Sequence, residues 1–328
     1  MAFGTPPAYM GFVGYVRFKF PTGDVLIRAT SADIKLSQEI TKPDTIDSRP
    51  DRSTYQLGPR IVEGSIEYPA IMERSGGNED PTARLYKACA KRIDDTNNRD
   101  YYGQLSDRDL NIEVKYTSQF AEFMYVGCLI NTFRFSVAQS DQIKVNCGII
   151  GRDRENPSRT LPVIGRNTTG FPRNARVVTW NDAIVEFNGA RGAPTFKGDY
   201  IRSFEVTYNN NADRYYTLNR TLAPQDIAVK KRDIDGRFVL LGRHDKLGEH
   251  ANTNQDRCFE ETNIRYGYQL NRDQCASTFL VKLPNIVTRI EEMALTNDLF
   301  ETTVQFHSFP EDLDLTTTDY LETGGSVV

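Results

Sequence analysis

Along most of the chain, apolar and polar residues alternate with a period of two, the signature of strands that bury one face. Segments 15–20, 25–27, 34–36, 61–68 and 111–116 read this way, as do 143–150, 183–187, 238–241, 277–283 and 302–307. They favour Val, Ile, Phe, Tyr and Thr, and turn residues bound them. Pro21, Thr22, Gly23 and Asp24 predict a hairpin turn between the first two. One segment reads as helix, over 81–93. Asp80 caps it, Pro81 suits the first helical position, and Leu85, Ala88, Cys89 and Ile93 form an apolar stripe. Residues 285–295 are a second, weaker helical candidate, although Ile286, Val287, Thr288, Arg289 and Ile290 alternate nearly as well as a strand.

An internal repeat stands out from this pattern. The segments 127–137 and 198–208 align without a gap, 71 residues apart, and share G-x-x-I-x-[ST]-F-x-[FV]-[ST]. Ile130, Phe133, Ile201 and Phe204 are the core positions this repeat predicts. A regular strand would place Ile130, Thr132 and Arg134 on one face, with Asn131, Phe133 and Phe135 on the other. Two copies imply two related β-units rather than a short-period solenoid. The division expected is a first unit over 1–150, a second unit or elaborated insertion over 151–310, and an acidic tail over 311–328. The tail is expected to be mobile or to lie on a neighbour.

Three extended loops are expected, over 40–59, 151–175 and 243–256. The first is long for a hairpin connection, and such loops are commonly functional. Pro43, Pro50 and Pro59 restrict its backbone, which lowers the entropy lost on ordering. Lys42, Asp44, Asp47, Arg49, Asp51 and Arg52 suit a mixed-sign partner surface, and Ile46, Tyr55 and Leu57 could fill apolar pockets there.

Composition narrows the function. The 328 residues hold 40 Lys and Arg against 44 Asp and Glu, a formal charge of −4, which argues against a broad grip on nucleic acid. A mean hydropathy of −0.51 and the lack of a long apolar run exclude a transmembrane helix. The first twenty residues do not read as a secretory signal. Five cysteines, none at CxxC spacing, suit a reducing cytosol. Cys128 and Cys147 read as small buried hydrophobes, and Cys258 with Cys275 as a pair that could bridge.

Chemistry is sparse. No nucleophile elbow, phosphate-binding loop, zinc-protease motif or dinucleotide fingerprint occurs. His244 and His250 sit in a polar loop and His307 in a late strand, so no metal or cofactor is expected. Asp24, Asp33, Glu63, Glu67, Glu113, Glu122 and Glu186 could pair as glycosidase carboxylates. A single tryptophan, Trp180, is poor provision for sugar stacking. Arginines cluster at Arg49, Arg52 and Arg60 and at Arg152, Arg154, Arg159, Arg166, Arg173 and Arg176. Acids accompany them, which suits contacts between subunits better than DNA binding.

The order of elements resembles the phage tail tube protein family, the major tail proteins that polymerise as stacked hexameric rings. Residues 32–95 carry that likeness: a strand over Ala32 to Leu36, then Ser37, Gln38, Glu39 and Ile40, the long loop, the 58–68 strand and the helix. The repeat around Phe133 and Phe204 adds to it. The resemblance implies a mostly β chain, an antiparallel β-sandwich or barrel-like tail-tube fold with one flanking α-helix, duplicated if the repeat is genuine. It also implies a virion protein made in the host cytoplasm, with no catalysis and no membrane span. Its partners would be itself, tape-measure, baseplate and terminator proteins, a sheath if the tail contracts, and DNA in transit. The long loop would reach an adjacent ring through Lys42, Asp44, Ile46, Asp47, Arg49, Asp51, Arg52 and Tyr55. Other injection-apparatus components, secretion-system tubes included, are one alternative. A β-rich carbohydrate-binding or glycoside-active protein is the other.

Overall fold

The period-two segments all become strands in a computed structural model of the chain. It describes residues 15–20, 23–41, 56–72, 80–90, 110–116, 121–155, 176–188, 200–218, 221–242, 263–272, 275–283, 286–296, 299–308 and 320–322. The strands are β1 (Tyr15–Phe20), β2 (Gly23–Ile27), β3 (Ser31–Thr41), β4 (Gln56–Pro69), β5 (Ile71–Met72), β6 (Leu110–Tyr116) and β7 (Ala121–Ala138). Then come β8 (Lys144–Gly151), β9 (Asp153–Glu155), β10 (Arg176–Val177), β11 (Ala183–Asn188), β12 (Ile201–Asn209), β13 (Asp213–Tyr215) and β14 (Asp226–Ala228). The last are β15 (Asp233–Leu241), β16 (Asn263–Arg272), β17 (Cys275–Leu283), β18 (Ile286–Thr296), β19 (Leu299–Ser308) and β20 (Tyr320–Glu322). Among the described residues there is one α-helix, α1 (Pro81–Ala90). The chain is mostly β, antiparallel and layered, as the alternation implied.

Eight strands form the main layer in the order β3-β4-β8-β7-β12-β15-β19-β18, with every neighbouring pair antiparallel. The long β7 belongs to two surfaces. Its second half lies between β8 and β12, while its first half pairs with β6 and β9, and β6 continues to β1 and β2. The turn between the halves falls at Gly127, whose φ of 58° is left-handed and suits a residue without a Cβ. A bulge between Ile130 and Thr132 follows. It corrects the regular alternation: Ile130 is buried on the same side as Phe133 and Phe135, while Thr132 and Arg134 face outward. Asn131 is drawn out of the ladder, and its side chain accepts the Ala212 amide at 2.9 Å.

The two repeat strands are neighbours. In the β7–β12 pair, Phe135 faces Val206, and these residues hold the same place in the two copies. The main sheet therefore reads as two four-stranded halves about a local twofold at that pair. Phe133 and Phe204 are both buried, Ile130 is buried, and Ile201 packs partly buried at the core's margin.

The second layer is the sheet β11-β16-β17-β20, with α1 beside it. Aromatic rings fill the space between. The Phe135 and Phe204 rings each lie 5.2 Å from Tyr266, and Phe187 lies 5.7 Å from Phe238. Tyr86 of α1 meets Phe133, Tyr208 and Phe279 edge-on at 5.5, 5.1 and 5.7 Å. The Tyr86 and Tyr266 hydroxyls both donate to the Tyr208 hydroxyl, at 3.0 and 3.1 Å.

The helix is capped at both ends. The Asp80 carboxylate accepts the amides of Thr82 and Ala83 at 2.8 and 3.3 Å, and also the Tyr268 hydroxyl at 2.8 Å. Burial, followed by the Asp80 charge, pushes the Tyr268 phenol well above its ordinary range, so it stays a donor. At the other end, Asn210 donates to the Cys89 carbonyl at 3.0 Å and Arg232 to the Ala90 carbonyl at 2.9 Å. Leu85 and Cys89 are buried as expected and Ala88 half-buried, while Ile93 lies outside the described residues. Cys128 and Cys147 are buried and free, and burial raises both thiols.

Three expectations need correction. Residues 285–295 are not a helix: β18 runs from Ile286, paired with β19 over its length. Here β-branched residues and an available neighbouring strand outweigh a weak helical period. The loop expected over 40–59 is shorter, since β3 runs through Thr41 and β4 starts at Gln56. Tyr320–Glu322, placed in a mobile tail, pairs with β17 of the same chain.

Truncating Phe133 or Phe204 to Ala is expected to cost about 3–5 kcal/mol in denaturant unfolding, the usual range for a buried aromatic. Asp80→Ala removes the cap and strands the Tyr268 hydroxyl, so a loss of about 1–3 kcal/mol is expected. Asp80→Asn, which still accepts hydrogen bonds, should recover part of that loss in the same measurement.

Candidate assembly interfaces

The outward face of the main sheet is largely polar, with Val287 opposite His307 at its β18 margin. One cross-strand row runs Lys144, Ser136, Glu205, Arg237, Gln305 and Arg289. A second, adjacent row runs Asn146, Arg134, Thr207, Asp235 and His307. The charges answer each other within the face. Arg134 and Arg237 both reach Glu205, at 2.8 and 3.5 Å, and His307 pairs with Asp235. Lys144 lies 2.7 Å from Asp141. That hydrogen bond, with one from the Gln142 amide, holds the Asp141 carboxyl below its usual range. Neither row carries an aromatic ring, so neither offers a stacking platform for bases.

The sheet has two long edges. The strands β3 and β18 are each 11 residues long and each pairs with another strand on one side only among the described residues. The Tyr125 hydroxyl donates to the Ile34 carbonyl of β3 at 2.6 Å. Each edge carries a bulge, between Gln38 and Ile40 and between Ile290 and Glu292. An open edge of this length is a pairing surface that a soluble monomer would have to blunt.

The two ends of the sheet differ. At one end the β3–β4 hairpin extends beyond its neighbours, because β8 stops at Gly151 opposite Val62. Residues 214–216 and Leu222 lie along the extension. There Arg214 and Tyr216 donate to the Val62 and Arg60 carbonyls at 2.8 and 3.0 Å, and the Arg60 amide donates to the Leu222 carbonyl at 2.8 Å. This end exposes Ile40, Leu57, Tyr215, Tyr216, Leu218 and Leu222. At the opposite end, where Ala138 pairs with Ser203, a groove of about 330 Å³ opens between the layers. Val137, Ala138, Trp180, Val185, Ile201 and Leu241 line it. Trp180 opens a short 3-10 turn, Trp180–Asp182, held by Asp182 accepting from the Thr179 amide and hydroxyl at 3.1 and 3.2 Å.

The residues expected to reach a neighbouring ring, Lys42, Asp44, Ile46, Asp47, Arg49, Asp51, Arg52 and Tyr55, lie outside the described residues, as do His244, His250 and Cys258. Of the arginine clusters, Arg60 pairs with Asp153 at 2.8 Å and Arg154 lies over the Phe123 ring at 5.0 Å. Among the acids weighed for catalysis, Glu113 is buried and paired with Lys19 at 3.0 Å and Arg17 at 3.4 Å. Among the described residues no group of three His, Cys, Asp or Glu side chains could hold a metal ion. Sequence reasoning missed Asn210 and Arg232, which close the helix against the main sheet. The Asn209-Asn210-Asn211 run after β12 was the available signal.

Antiparallel layers, one helix among the described residues and two long outer strands characterise the fold. A family model described as phage tail tube protein matches residues 80–245, just over half of the chain. The chain belongs to the phage tail tube protein family. No curated protein matches it. The matched stretch starts at the Asp80 cap, ends just past β15 and contains both repeat strands. Membership implies a structural component of a virion's tail, one that assembles with itself and other tail proteins into a tube. Among the described residues no helix is long and apolar enough to cross a membrane.

Proposed function

We propose that this chain polymerises as stacked hexameric rings into a tail tube, through whose lumen DNA is delivered, and that it catalyses no reaction. The observation that carries this reading is the eight-stranded main sheet, polar on one face and open at both edges. Seven successive antiparallel pairings leave β3 and β18 running in opposite directions. The β18 edge of one subunit can therefore add to the β3 edge of the next without breaking the alternation. Repeated around a ring, that addition consumes both edges of the main sheet and closes the main sheets into one barrel. The polar face then lines the lumen, where Glu205 engages Arg134 and Arg237 and Asp141 engages Lys144.

Two β-units, 1–150 and 151–310, meet at the β7–β12 pair in this reading. The chain joining β3 to β4 contacts the adjacent ring through Lys42, Asp44, Ile46, Asp47, Arg49, Asp51, Arg52 and Tyr55. Tape-measure, baseplate and terminator proteins bound the polymer, with a sheath outside it if the tail contracts.

Negative-stain microscopy of the purified protein should find rings or tubes with a central hole. A monomer at every concentration and salt would overturn the reading. Deleting residues 41–53 should preserve rings and abolish stacking, whereas long tubes from the deletion variant would remove that segment from the inter-ring contact. Duplex DNA should migrate unretarded with the protein at low salt. Tight binding with a steep salt dependence would mark a nucleic-acid-binding surface instead of a passive wall.

A further inference from the structure

The chain order of the strands relates the two halves of the main sheet in a second way. Across the first half they run β3-β4-β8-β7, which is first, second, fourth and third along the chain. Across the second half they run β12-β15-β19-β18, again first, second, fourth and third. A shift of four strands therefore carries β3 onto β12, β4 onto β15, β8 onto β19 and β7 onto β18. The registers agree with that shift. Ile34 faces Gly64 in one half and Val206 faces Gly236 in the other, each residue 172 positions from its counterpart. Gly64 faces Ile149 as Gly236 faces Phe306, and Gly148 faces Thr132 as Gln305 faces Arg289.

Sequence and packing mark the same equivalence. Residues 60–66 and 232–238 share R-x-[IV]-[DE]-G-x-[IF] at that 172-residue spacing. A Cβ on Gly64 would lie 1.9 Å from the Asp33 carbonyl oxygen, and one on Gly236 2.4 Å from that of Glu205. Asp33 and Glu205 are themselves counterparts, so both halves need glycine at the same close approach of two strands. Within the chain a single joint connects the halves, β7 against β12, from Thr132 opposite Asn209 to Ala138 opposite Ser203. The two outer strands are the counterparts of that joint: β18 stands where β7 stands, and β3 where β12 stands.

We infer that the joint between neighbouring subunits repeats the β7–β12 joint: β18 pairs antiparallel with β3 of a second copy, from Arg289 opposite Ser37 to Thr296 opposite Ser31. This rests on the ring reading above and adds to it the register. A second copy is the occupant because the chain already carries this joint once, with both strands in place. The transferred register ends on the last residue of β18 and the first of β3. It also keeps the faces matched, as a one-residue slip would not. Arg289 and Ser37 are both exposed, whereas buried Ile34 falls opposite position 293, whose own partner in β19, Thr302, is buried. The slant of the sheet continues as well. The row Asp33, Ser65, Gly148, Thr132 and Asn209 ends four residues beyond Glu205, the counterpart of Asp33. That drift is about one residue per strand, the ratio of closed barrels whose strands tilt by about 36°.

Paired cysteines read the register. Ser37→Cys with Arg289→Cys alters exposed positions that the joint sets about 5 Å apart at Cα, within disulfide reach. The full chain carrying both, assembled into rings and oxidised with diamide, should run as covalent multimers on a non-reducing gel. Lys35→Cys or Glu39→Cys with Arg289→Cys samples the diagonal neighbours, and these pairs should cross-link severalfold more slowly. Each single variant should cross-link no more than the parent. Faster cross-linking at a diagonal pair would overturn the register and leave the ring reading standing. Rings in which none of the three pairs cross-links would overturn the β18–β3 joint, and a parent chain that never forms rings would overturn both readings. Electron cryo-microscopy of parent rings gives the register without substitution. Arg289 opposite Ser37 is the expected result, and any other residue there, or no strand beside β3, would overturn the inference.

Discussion

Three tyrosine hydroxyls hold the layers of this protein to one another. Tyr86 comes from the helix, Tyr208 from the main sheet and Tyr266 from the second sheet, and their hydroxyls meet within 3.1 Å in a space otherwise filled by phenyl rings. A buried hydroxyl without a partner carries a desolvation cost, so each layer is held where the other two can satisfy it. Asp80 adds a second tie of the same kind. One carboxylate closes the helix N-terminus and accepts the Tyr268 hydroxyl, so the helix start and the second sheet are set together. Asn210 and Arg232 tie the helix C-terminus to the main sheet.

With its inner face filled in this way, the main sheet presents its other face outward and has β3 and β18 as its outer strands. The face is largely polar, and part of its charge is paired within it, Arg134 and Arg237 on Glu205 and His307 with Asp235. The edges are long, and among the described residues β3 and β18 each pair with a strand on one side only. Among the described residues, the exposed apolar side chains gather at the ends of the strands rather than on the polar face. Lateral edges, a largely polar face and apolar ends are distinct surfaces, and in the proposed stacked rings each would answer to a different direction of growth.

The family match and the tertiary structure emphasise different parts of the molecule. Residues 80–245 contain the helix, the β7–β12 centre and β15, the part in which one subunit holds itself together. Both outer edges, β3 and β18, fall outside that stretch, and so does the β3–β4 hairpin. The local twofold about Phe135 and Val206 lies inside it, at the junction of the two four-stranded halves.

The strands, the helix start and the absence of a familiar catalytic motif were legible in the sequence, because period-two alternation and an Asp-Pro pair before an apolar stripe are local signals. The repeated motif was legible too, and Phe133 and Phe204 within it are buried. Other features depended on contacts between residues far apart in the chain. The segment after Asn285 is a strand because β19 lies beside it, and Ile130 turns inward because a bulge at Asn131 shifts the register. Asn210 became a structural centre only when the helix end arrived next to it. Trp180, weighed in the sequence as a sugar-stacking residue, lies instead in a groove at the sheet's end. The sequence by itself determined which residues alternate, and so that the fold is antiparallel β with one helix. The tertiary structure alone decided which strands are edges and which face meets solvent, since both follow from long-range pairing that no local pattern encodes.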